Sequence, residues 1–141
     1  MSRKLSAPKN RTREVAHLAA AKLRPGLGVS GHLRRLPGLL DPGDRLLTMG
    51  GGRAGKGIAV VAVTDRRILI LSRRRLEWSA IDLGYTRVNG VSFFRRLGGV
   101  TLRIAASGGP LDLDGMTVRE ALDVAAHIQA QLDSVIDLRR P

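Results

Sequence analysis

The feature that most constrains this chain is a change of apolar period near Thr117. Between Asp44 and Gly115, apolar residues come in short segments cut by glycines or charges, and several alternate with a period of two. From there on, Val118, Ala121, Leu122, Ala125, Ile128, Leu132, Val135 and Ile136 recur every three or four residues. Period two belongs to strands and 3.6 to helices, so a run of strands is followed by one amphipathic helix. Seven strands are expected: Arg45 to Met49, Gly57 to Thr64, Arg67 to Ser72, Leu76 to Ile81, Thr86 to Phe93, Val100 to Ala105 and Pro110 to Leu113. Short strands at this spacing describe an antiparallel all-β unit, with a tight hairpin at Thr64-Asp65-Arg66. Along the third strand Ile68 and Ile70 alternate with Leu69 and Leu71, so both of its faces read as buried. Thr117-Val118-Arg119-Glu120 has capping-box spacing and starts the helix, whose apolar stripe lids the sheet.

The segment ahead of the strands has a different composition. Residues 1 to 40 hold nine Lys or Arg and one acid, Glu14. Residues 1–11 have little to bury and read as a disordered basic tail. Residues 12–40 read as a helical arm, with one helix from a Thr12 cap to Leu23, stopped by Pro25-Gly26, and a second from Ser30 to Leu36. Pro37 and the turn chemistry of Asp41-Pro42-Gly43-Asp44 close the arm. The domain proper is expected over 41–136, with a tail at 137–141. A chain of 141 residues builds one domain and one core. That core is expected to include Leu47, Val60, Ala62, Ile68 or Leu69, Ile70 or Leu71, Val88, Leu102, Ile104, Leu122, Ala125 and Leu132. If Val15, Leu18, Ala19 and Leu23 pack on the sheet, the arm elaborates the domain; if they stay free, it is an interfacial or partner-binding helix.

Composition bounds the function. Lys and Arg number 24 against 12 acids, a formal charge of +12, which favours an anionic partner. Arginine supplies 20 of those cations, a bias that a GC-rich genome would also produce. The absence of cysteine removes disulfides, thiolate metal sites and cysteine nucleophiles. The longest apolar run, Ile58 to Val63, falls far short of the roughly 20 residues that span a bilayer. Charges interrupt Met1 to Arg24 too often for a secretory leader. The expected location is therefore cytoplasmic.

Four features resemble the bacterial pleckstrin-homology (PH) domains of the short YokE-like type. Leu39-Leu40-Asp41-Pro42-Gly43-Asp44 resembles that family's lead into strand one, and Val63-Thr64-Asp65-Arg66-Arg67-Ile68-Leu69-Ile70-Leu71 its hairpin between strands two and three. Trp78-Ser79-Ala80-Ile81-Asp82-Leu83 followed by Val88 resembles the fourth-strand region. Leu111-Asp112-Leu113 with the following helix resembles the last strand and cap. The resemblance covers roughly residues 39 to 133. It implies a mainly β fold with α, a PH-like seven-stranded bent barrel capped by a C-terminal helix, used to bind lipid headgroups, peptides or proteins, and no catalysis. Strand two carries no Arg or Lys, so the resemblance does not extend to a phosphoinositide cage.

Gly50-Gly51-Gly52-Arg53-Ala54-Gly55-Lys56-Gly57 nearly spells a P-loop, but Gly57 stands where Ser or Thr must hold magnesium, and a β-branched segment follows instead of a helix. It reads as a mobile Gly-rich loop between strands one and two, and the PH resemblance implies a headgroup-binding role there for Arg53 and Lys56. Arg73-Arg74-Arg75 and Arg95-Arg96 mark two more cationic turns, each basic side chain worth about 1 kcal/mol near an anionic leaflet. Phe93 and Phe94 alternate, so one of them is expected to face the core. Trp78 and Tyr85 read as core or hairpin residues, which leaves few stacking platforms for single-stranded nucleic acid. His17, His32 and His127 lack metal-ligand spacing. Asp112 and Asp114 read as solvent-facing and Asp82 as a turn former.

The expected function is a non-catalytic binding module without metal or cofactor. It attaches to an anionic membrane surface, at the inner face, or to a protein partner through Arg53, Lys56, Arg73, Arg74, Arg75, Arg95 and Arg96. The alternative is sequence-nonspecific nucleic-acid binding through the basic arm.

Overall fold

A computed structural model describes residues 2–139, and the side-chain surroundings of residues 10–135. Two helices, α1 (Ser2–Lys22) and α2 (Ser30–Leu39), precede β1 (Leu46–Ala54), β2 (Gly57–Thr64), β3 (Arg67–Arg74) and β4 (Glu77–Gly84). A 3-10 turn (Tyr85–Arg87) leads to β5 (Val88–Arg96), β6 (Gly99–Ala106) and β7 (Gly109–Met116), and α3 (Val118–Arg139) closes the chain. All seven strands are antiparallel in one sheet of order β4-β3-β2-β1-β7-β6-β5. Two meanders are joined by one pair, Arg53 opposite Asp114, where the sheet bends. With α3 as its cap, this is the PH-like architecture the resemblance implies.

Alternation along β2 explains why its apolar run is unbroken. Ala59, Val61 and Val63 point into the bend, where they meet Ile68, Ile70, Leu102, Ile104, Leu113 and the α3 residues Ala121, Val124 and Ile128. Val60 and Ala62 point outward and join Met49 and Leu69 beneath the arm residues Val15, Ala19 and Leu36. The expected single core is thus two clusters on opposite faces of β1 to β3, because the arm docks. Each large side chain that docking buries contributes about 1.5–3 kcal/mol.

Several expectations are corrected. The arm helix begins at Ser2, so residues 2–11 continue it rather than forming a tail. Arg11 is anchored to the carbonyls of Asp41, Pro42 and Asp44, and a docked turn lets a helix propagate at one bond per residue. α2 runs past Pro37 to Leu39. α3 continues past 136 to Arg139, and residues 140 and 141 lie outside the described residues. Leu122 is 55% exposed, because Ala121, Val124, Ala125 and Ile128 fill the buried stripe. Leu47 is only half-buried. Asp82 lies within β4, opposite Leu69, and its carboxylate accepts from Arg67 Nη1 at 2.5 Å. Neither phenylalanine is in the core: Phe93, opposite Leu102 on the edge strand β5, stays 38% exposed, and Phe94 lies outside.

The predicted loop at Gly50 to Gly52 is strand, paired with Val61, Val60 and Ala59. A Cβ on Gly50 would lie 2.7 Å from Met116 Cε, on Gly51 2.0 Å from Leu27 Cδ2, and on Gly52 2.6 Å from the Asp114 carbonyl oxygen. The glycines let α3, the α1–α2 connection and β7 close directly on the β1 backbone.

Segments 39–44 and 63–71, two of the four on which the resemblance rests, meet each other. Arg67 donates to the buried Asp44 carboxylate through Nε and Nη2 (3.2 and 2.8 Å), and to the Leu39 carbonyl at 2.7 Å. Thr64 Oγ1 accepts the Arg66 and Arg67 amides, and Asp65 accepts the Arg45 amide. These motifs clasp the arm to the sheet.

Candidate functional site

Successive turns of a meander alternate between edges. The β1–β2 turn with Arg53 and Lys56 and the β3–β4 turn with Arg73, Arg74 and Arg75 therefore share one edge. Because β7 runs antiparallel to β1, the β5–β6 turn with Arg95 and Arg96 projects from the opposite edge. Lys56, Arg73, Arg74 and Arg75 share the first edge; Arg53 starts from it, but its guanidinium leans over Gly115, which lines a cleft with Arg95 and Arg96. On the far edge, Phe94 lies beneath the guanidiniums of Arg96 (4.9 Å) and Arg103 (5.1 Å), and Leu97 is fully exposed.

The first edge is built on a cross-strand row, since Arg53 lies opposite Ile58, Ile58 opposite Arg73, and Arg73 opposite Trp78. Cross-strand partners share a face. Here it is the face that carries the arm, and α2 docks beside the row. His32, buried on α2, has Nε2 2.8 Å from the Ile58 carbonyl and packs edge-on to Trp78 at 4.8 Å. Burial lowers the His32 pKa and the Arg73 charge adds to this, outweighing the bond to Ile58, so the ring is held below the usual histidine range. A neutral ring with Nε2–H donating fits that contact. Arg35 from α2 stacks over Trp78 at 4.3 Å, and Arg73 lies 5.5 Å from the same ring centroid.

At the tip, Arg75 takes φ +58°, a region glycine adopts freely and an L-residue does not. The Arg73 Nε donates to the Arg75 carbonyl at 2.7 Å, and Leu76 stands 84% exposed. Among the described residues no carboxylate lies within ion-pair distance of Arg34, Arg35, Arg53, Lys56, Arg73, Arg74 or Arg75. Three cations in and just after α1 differ: Arg11 pairs with Glu14, Lys22 with Asp123 and Arg24 with the buried Glu120. Between α2 and the hairpin lies a cleft of about 510 Å³ lined by Gly31, Arg34, Arg35, Arg73, Leu76 and Trp78.

Sequence reasoning missed Arg34, Arg35 and Trp78 as site residues. The adjacent arginines were visible, but only docking of α2 brings them to a tryptophan more than 40 residues away. Asp112 is not free in solvent, since it takes a two-point contact from Arg103, and Asp114 accepts from Thr101. The three histidines sit on three different helices, and among the described residues no helix is long and apolar enough to cross a membrane.

No family model matches the chain, and neither does any curated protein. Among solved structures, a DUF1696 family protein with a pleckstrin-homology domain from Shewanella loihica is similar at 14% identity. The match covers 76% of this chain and 95% of that one, with a TM-score of 0.45.

Proposed function

We propose that the chain is a non-catalytic PH-like binding module of the short bacterial type, and that it attaches to the anionic inner face of a membrane. The contact surface in this reading is the edge bearing Arg53, Lys56, Arg73, Arg74 and Arg75. One observation carries it: Leu76, 84% exposed, stands by Arg73, Arg74 and Arg75 and shares a cleft with Arg34 and Arg35, none with a carboxylate partner among the described residues, whereas the equally bare Leu97 has only Arg95 and Arg96 beside it. A bare leucine behind three arginines suits an interface where charge meets anionic headgroups and the apolar tip enters the acyl boundary. The nucleic-acid reading loses three of the arm's nine cations, because Arg11, Lys22 and Arg24 are already engaged by the fold.

Co-sedimentation of the full chain with phosphatidylglycerol vesicles tests this reading, with DNA as competitor. Binding at low salt should fall by more than tenfold when Arg73, Arg74 and Arg75 are together replaced by alanine, at about 1 kcal/mol per cation. Leu76→Ser should weaken it further. Absence of vesicle binding at low salt, or binding that DNA abolishes while the hairpin variant is unaffected, would reject it.

A further inference from the structure

We propose that the cleft between α2 and the β3–β4 hairpin binds a phosphate monoester, gripped by the guanidiniums of Arg34, Arg35 and Arg73 beside the Trp78 ring. The inference rests on reading this edge as anion-facing, and it names the anion and the residues that hold it.

Three cations from two separate elements converge on one cleft. Where this fold uses arginine for structure it supplies a carboxylate, as for Arg24 with Glu120, Arg67 with Asp44 and Arg103 with Asp112. Around Trp78 it supplies none among the described residues, and crowding like charges is unfavourable until an anion arrives. The donors are also pre-positioned. Arg73 Nε is held by the Arg75 carbonyl, which leaves both terminal nitrogens unspent, and Arg35 is stacked on the indole. Gly31 keeps the wall thin: a Cβ there would lie 3.2 and 3.3 Å from Trp78 Cη2 and Cζ2, and 4.0 Å from Arg34 Nη2.

A phosphate monoester fits this arrangement better than a diester. It offers three terminal oxygens and close to two charges at neutral pH, and guanidinium forks bind such oxygens in pairs. Leu76 at the mouth gives the alcohol portion of the ester an apolar contact. The same chemistry is available from a lipid whose headgroup ends in a monoester, such as phosphatidic acid, and from a soluble phosphate ester.

Trp78, the chain's one tryptophan, reports on the cleft directly. The full chain is titrated at fixed ionic strength with glycerol 3-phosphate, and separately with vesicles of phosphatidic acid or phosphatidylglycerol at matched surface charge, following Trp78 emission. Arg34→Ala and Arg35→Ala are compared with Arg95→Ala, which removes the same charge from the opposite edge. Arg34→Lys and Arg35→Lys, which keep the charge without the fork, serve where an alanine variant fails to fold.

A soluble source predicts a saturable response to glycerol 3-phosphate; a lipid source predicts preference for phosphatidic acid over phosphatidylglycerol. In either case affinity falls about tenfold or more in the Arg34 and Arg35 variants and is kept by Arg95→Ala. The proposal is overturned if glycerol 3-phosphate acts no differently from chloride and both vesicles bind equally, or if the Arg34 and Arg35 variants respond like Arg95→Ala. Equal binding to both vesicles would leave membrane attachment standing without this cleft. A specific glycerol 3-phosphate response without vesicle binding would leave the cleft standing without the membrane.

Discussion

Replacing Arg75 by glycine should make the protein more stable and a weaker membrane binder, an opposition of signs that follows from its backbone. Arg75 holds φ +58°. An L-residue in the left-handed region costs about 1–2 kcal/mol. Glycine relieves that cost but enlarges the unfolded ensemble, taking back about 0.4–1 kcal/mol. The net gain is roughly 0.5–1 kcal/mol. The bond from Arg73 Nε survives, because its acceptor is the main-chain carbonyl of residue 75. Losing one interfacial cation costs about 1 kcal/mol of binding, or about fivefold in partition. Urea denaturation followed by Trp78 emission gives the first quantity and vesicle co-sedimentation the second. A variant destabilised by 0.5 kcal/mol or more, or one that binds vesicles like the parent, would refute the reasoning, because Arg75 would then serve packing rather than contact.

Other outcomes follow from the packing and the titrating groups. Gly52→Ala should destabilise by about 3 kcal/mol, since its Cβ meets the Asp114 carbonyl at 2.6 Å and the backbone cannot yield; Gly51→Ala should cost less and be largely rescued by Leu27→Ala, measured as a urea double-mutant cycle. Burial alone would raise the Asp44 carboxyl, but the Asp41 amide, Arg67 and Arg11 outweigh it and hold it below its ordinary 3.8. Its stabilising contribution is therefore present above that value and lost as pH falls through the lower folded one. Asp44→Asn should cost about 3 kcal/mol near neutrality and flatten the acid limb of stability against pH. His32, lowered by burial from 6.5, contributes stability that is complete above that pH and declines below it, so the fall in Tm between pH 7 and 5 should be smaller in His32→Gln.

How much was legible in the sequence depended on how local each signal was. The β2 run, the Thr64 hairpin and the Thr117 capping box are written in neighbouring residues, and each formed as read: Thr117 Oγ1 accepts the Glu120 amide at 3.1 Å, and Glu120 reaches back to the Thr117 amide at 3.3 Å. Gly50 to Gly52 misled, because a glycine triplet signals either a loop or a strand against which other backbones close, and only the approach of Leu27, Asp114 and Met116 distinguishes the two. Period analysis placed Leu122 in the core because it belongs to the apolar stripe, yet the sheet covers only its neighbours. The cationic turns were visible as charge runs. Their division between two edges is set by topology, and the participation of Arg34 and Arg35 by the docking of α2.

Amide hydrogen exchange of the full chain on phosphatidylglycerol vesicles tests the central claim most directly, because it reads which edge meets the membrane. Protection gained on the vesicles should be confined to the β1–β2 turn around Lys56, the β3–β4 turn from Arg73 to Trp78, and the adjoining face of α2. Protection at the β5–β6 turn around Leu97, or along α1 with the two hairpins unchanged, would contradict the account.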